Sequence, residues 1–113
     1  MVQQRWIEKY SNQKFNSEIA ASSTQDFGVD ITDAQNKVKF GSMNSVVISN
    51  LSDENIRITL DGTTFTELGE KGIAIIEPRD GIYFNLIRIT NLSTTNPIPA
   101  NKISVRWGRS DLA

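Results

Sequence analysis

The sequence predicts an all-β domain, an antiparallel β-sandwich of the jelly-roll or immunoglobulin-like kind carrying an N-terminal arm. Three observations carry this. From Val29 onward short runs alternate apolar with polar residues, clusters of Gly, Asn, Asp and Ser separate the runs, and the plausible strands number about eight in a chain of single-domain length. A domain of this size buries roughly two-thirds of its unfolded surface, so it folds without cross-links.

Residues 1–28 read as an arm or peripheral strand and residues 29–113 as the sandwich domain. Within the arm, Val2, Trp6 and Tyr10 recur at helical spacing beside Ile7, which suits either a short amphipathic helix or an extended segment. Residues 11–24 are rich in Ser, Asn and Gln, with Phe15 and Ile19 as apolar anchors. Trp6, Ile7, Tyr10 and Phe15 are therefore the candidate assembly contacts, because the polar residues between them need hydrogen-bond partners that a neighbouring subunit could supply.

Strands are expected at 29–32, 37–40, 45–50, 56–60, 63–67, 72–77, 82–90 and 102–107. The clearest is Ile56-Arg57-Ile58-Thr59-Leu60, with Ile56, Ile58 and Leu60 on one face and Asp61-Gly62 supplying a tight turn. The run from Gly72 to Glu77 is apolar enough to be covered on both faces, and Pro78 with Asp80-Gly81 ends it. In the segment 82–90, Phe84 and Leu86 share one phase and Ile87 and Ile89 the other, which calls for a bulge near Leu86 or burial of both faces. Ile103, Val105 and Trp107 share a face of the last strand. The predicted core is Ile56, Ile58, Leu60, Ile75, Phe84, Ile103 and Val105, with Trp107 packed on it.

Val47-Ile48-Ser49-Asn50-Leu51-Ser52 is echoed by Arg88-Ile89-Thr90-Asn91-Leu92-Ser93. Few turn chemistries exist, so similar strand exits selecting similar residues explain the echo more simply than duplication. Both Asn-Leu-Ser triplets fit the N-glycosylation pattern, but the polar chain start holds no apolar secretory run, and they read as strand-exit turns.

Catalysis is not expected. The chain has no His and no Cys, which removes the usual general base, the commonest metal ligands and the thiolate nucleophile together. Carboxylate pairs can act without His. The acidic groups here are Asp26, Asp30 and Asp33, Asp53 with Glu54, and Glu67 with Glu70; they read as turn and loop charges, without the spacing of a calcium loop. No cofactor is implied. With 12 basic against 13 acidic side chains there is no field to attract nucleic acid, and no run is long enough to span a membrane. Exposed aromatics among Trp6, Tyr10, Tyr83 and Trp107 would make a glycan platform.

The segments Ser45 to Ser52, Ile56 to Gly62, Gly72 to Pro78, Phe84 to Asn91 and Lys102 to Trp107 resemble, in their style of strand and turn, small β-sandwich virion proteins of tailed phages: capsid decoration, head-fibre and tail-accessory subunits. The resemblance implies a homo-oligomer that binds other virion proteins through a sandwich face, an edge or a terminal arm, after synthesis in the host cytoplasm. A glycan-binding module of an adhesion apparatus is the alternative.

Overall fold

The computed structural model describes residues 5–28 and 41–112. They form β1 (Trp6–Phe15), β2 (Thr24–Gly28), β3 (Ser45–Asn50), β4 (Ile56–Leu60), β5 (Thr63–Leu68), β6 (Ile73–Ile76), β7 (Leu86–Asn91) and β8 (Ile103–Leu112), with one 3-10 turn at Pro78–Asp80. Sheet I has the order β1-β8-β3-β6 and sheet II the order β2-β7-β4-β5, and every pairing is antiparallel. Each described strand is followed by one in the opposite sheet except at β4–β5. That is a jelly roll rather than an immunoglobulin sandwich.

Alternation builds the core as the sequence predicts. Ile56, Ile58 and Leu60 of β4, Val46 and Ile48 of β3, Ile87 and Ile89 of β7, and Ile103, Val105 and Trp107 of β8 are buried, because the pleat sends every second side chain between the sheets. Phe84 joins them from just before β7. Each fully buried apolar side chain contributes about 1.5–3 kcal/mol.

Asp61 and Gly62, with φ of 49° and 86°, close the β4–β5 hairpin by the turn class that needs positive φ at both central positions. The Asp61 carboxylate also accepts from the backbone N–H groups of Asn85 and Leu86 at 2.8–3.1 Å. This clamp explains the phase problem of segment 82–90. The strand begins only at Leu86, and the break at Asn85 lets both Phe84 and Ile87 point inward.

Two expectations are corrected. Ile75 is not in the core: it is 56% exposed, and Ile76 is buried in its place. The run from Gly72 to Glu77 is covered on one face only, because β6 is an edge strand opposite β3 and its Ile73 and Ile75 point away from sheet II. Of the two readings of the N-terminal segment, the extended one holds from Trp6 onward, since β8 supplies a complete partner ladder. The strands expected at 29–32 and 37–40 lie outside the described residues.

Two isolated bridges close opposite ends of the sandwich, Ile19 with Ile98 and Met43 with Phe84, and all of these residues are buried. The sequence echo has a spatial counterpart. Asn50 ends β3 opposite Ile103, and Asn91 ends β7 opposite Ile56. Leu51 N–H then donates to the carbonyl of Lys102, just before β8, and Leu92 N–H to that of Asn55, just before β4. Exchanging β3 with β7, β8 with β4, β1 with β5 and β6 with β2 converts one sheet order into the other read in reverse, so the two echoes occupy topologically equivalent positions.

Candidate interaction surface

All four sequence-singled residues of the N-terminal segment fall on β1, paired with β8 from Trp6 opposite Leu112 to Phe15 opposite Ser104. Tyr10 is half-buried and packs against the core, whereas Trp6, Ile7 and Phe15 are exposed. Lys9 is the extra residue of a bulge between Glu8 and Tyr10. Gly108 permits the close approach there, since a Cβ on it would stand 2.3 Å from the Tyr10 carbonyl oxygen. At ten residues each, β1 and β8 are the longest of the described strands, and beyond Gly108 the ladder partner of β8 is β1.

The outward faces of the two sheets differ in kind. Sheet II presents ion pairs, Asp26 with Arg88 at 2.7 Å and Arg57 with Glu67 at 3.3 Å; hydrogen bonding to Asp26 raises the Arg88 pKa further above its ordinary value. By register, sheet I presents Trp6 and Leu112 at one corner, Phe15 at another, and Val47, Ile73 and Ile75 toward the β6 edge. Between them Glu8 and Arg106 pair at 3.3 Å beside a concavity of about 330 Å³ lined in part by Ser11, Val47, Ile75 and Ser110. Glu8 has its pKa lowered, first by a hydrogen bond from Ser11 and then by Arg106. The β6 contribution was missed in the sequence because an all-apolar run hides which face is open; the signal was Pro78 and the shortness of the run.

The sheet edges carry no catalytic constellation among the described residues. Asp26 and Glu67 are held in the ion pairs above and Asp53 pairs with Lys71 at 3.1 Å, while Asp30 and Asp33 lie outside the described residues. Asn50 and Asn91 have no exposed surface and use their side-chain amides in backbone hydrogen bonds, so the folded protein closes both glycosylation triplets. Trp107 is buried, and Tyr83 is 58% exposed. Tyr83 stacks under the Arg109 guanidinium at 5.2 Å and borders a second open concavity of about 350 Å³ with Phe65, Asp61, Thr63 and Thr64.

No protein-family model, curated protein or solved structure matches the chain.

Proposed function

We propose that the chain is a non-enzymatic structural subunit of a virus particle, a capsid-decoration or tail-associated protein that works by protein–protein assembly. The observation that carries the assembly role is the asymmetry of the sandwich: sheet II faces outward with the Asp26–Arg88 and Arg57–Glu67 ion pairs, whereas sheet I sets Trp6, Phe15, Val47, Ile73, Ile75 and Leu112 around a single ion pair, Glu8 with Arg106. Water gains nothing from contact with such a face, and a partner surface does. The particle context rests on the resemblance of the strand and turn segments to phage virion subunits; the jelly roll is also a fold that capsid proteins use, an analogy of fold and not of site.

A specific feature favours a second reading. Tyr83 and Phe65 beside the hydroxyls of Thr63 and Thr64 pair an aromatic face with hydrogen-bonding groups, as a sugar site requires. One set of experiments separates the two. Virus particles purified from the source of the gene contain the chain at constant copy number by mass spectrometry, and Trp6→Gln with Phe15→Gln lowers its incorporation while the melting temperature stays unchanged. Absence from purified particles, together with glycan-array binding abolished by Tyr83→Ala, replaces the structural role with the adhesion one.

A further inference from the structure

Among the described residues four strands form sheet edges: β1 and β6 in sheet I, β2 and β5 in sheet II. An unguarded edge strand is a template for pairing, and proteins guard edges with charge, proline or bulges. Three of these edges are guarded. β1 carries Glu8, Lys9 and Lys14 and the bulge at Lys9, β5 carries Glu67 and a register shift at Phe65, and β2 carries Asp26. β6 reads Ile-Ala-Ile-Ile, with no charge and no bulge.

The free groups on that edge can be identified. Asn50 N–H donates to the Gly72 carbonyl at 2.9 Å, which makes Asn50 and Gly72 a hydrogen-bonded pair. Alternation along an antiparallel ladder then assigns Ala74 and Ile76 to bonds with β3, and turns the N–H and C=O groups of Ile73 and Ile75 outward. The same residues hold exposed side chains, at 61% and 56%.

We propose that β6 pairs antiparallel with β6 of a second copy of this chain, about a two-fold axis through Ala74, joining the two copies of sheet I into one continuous sheet. In this register Ile73 of each copy lies opposite Ile75 of the other, and each such pair exchanges both of its main-chain hydrogen bonds. A shift by one residue would set bonded groups against free ones. A shift that moves the axis to Ile73 or to Ile75 keeps one such pair in place of two. Charge selects the same register: Lys71 of one copy comes opposite Glu77 of the other. Both already form exposed ion pairs, with Asp53 and Arg79, so they contribute to register more than to affinity. The interface is isologous, as a two-fold dimer requires, and brings Val47, Ile73 and Ile75 of both copies side by side.

The inference names the partner within the assembly reading and rests on that reading only for its biological purpose. The chain has no cysteine, so one introduced thiol reports the register. Across the axis the two Ala74 Cα atoms form a non-hydrogen-bonded pair about 4.5 Å apart, inside the roughly 4.4–6.8 Å that a disulfide spans. Two Ile73 positions are offset by about 7 Å along the strand. Mild oxidation therefore cross-links Ala74→Cys at least tenfold faster than Ile73→Cys. Analytical ultracentrifugation at about 100 μM, where a micromolar dimer is filled, shows a dimer for the unsubstituted chain and a monomer of unchanged melting temperature for Ile75→Lys. A monomeric unsubstituted chain, or equal cross-linking of the two thiol variants, overturns the β6 dimer. Particle incorporation that survives Ile75→Lys leaves the proposed function standing, whereas a dimer absent from particles removes that function and leaves the dimer.

Discussion

Asn16, Asn44, Asn50 and Asn91 are all buried at strand ends, where the ladder stops and backbone groups lose their partners. Each amide repairs that loss from both of its ends. Asn16 accepts from the N–H groups of Lys102 and Ile103 and donates to the carbonyls of Ser17 and Pro99. Asn44 exchanges both bonds with the backbone of Ser110. Asn91 donates to the carbonyls of Ile19, Ala20 and Asn96 and accepts from Ser93 N–H. Removing such a group strands several buried polar atoms, each costing about 1–3 kcal/mol. Asn91→Ala is expected to destabilise by about 2–4 kcal/mol and Asn91→Asp by no less, since a carboxylate cannot donate. Urea unfolding measures this, and a loss under about 1 kcal/mol would contradict the clamp.

At the level of elements, β6 gives the sharpest contrast. Ile75 and Ile76 are neighbours in sequence, but one faces water and the other the core. Ile76→Ala should cost about 2–5 kcal/mol, and Ile75→Thr, measured at concentrations that keep the chain monomeric, within about 0.5 kcal/mol. Equal effects would show that the β6 phase is misassigned. The same pair marks where the sequence stops being legible. In β4 and β8 polar residues at every second position state which face is wet, so Ile56, Ile58, Leu60, Ile103 and Val105 could be placed directly. In β6 four apolar residues in a row state nothing about face. Edge position is a property of strand order, and strand order depends on contacts distant in sequence. The anchors Trp6, Ile7, Tyr10 and Phe15 were visible as apolar points in a polar segment, yet only the β8 ladder shows that they form a strand.

At the scale of the molecule, β4–β5 is, among the described residues, the one pairing between strands consecutive in sequence. All others close long loops, whose entropy must be lost before contacts repay it. Folding is expected on the millisecond-to-second scale of non-local β proteins, with the Asp61-Gly62 hairpin formed early. Gly62 has φ of 86°, and a Cβ added to it would meet no atom within 4 Å, so Gly62→Ala costs about 1–2 kcal/mol through conformation alone. Stopped-flow refolding should show most of that loss as slower folding. If it appears as faster unfolding instead, the hairpin forms late.

The central place of β8 in sheet I also orders events in time. Among the described residues β1 has no other strand partner, and β3 with β6 alone is a two-stranded ribbon of marginal stability in water. Until residues 103–112 have left the ribosome, β1 waits unpaired and the apolar outer face does not exist as a surface. The proposed pairing of β6 between copies would then join complete sheets only after β8 has been inserted.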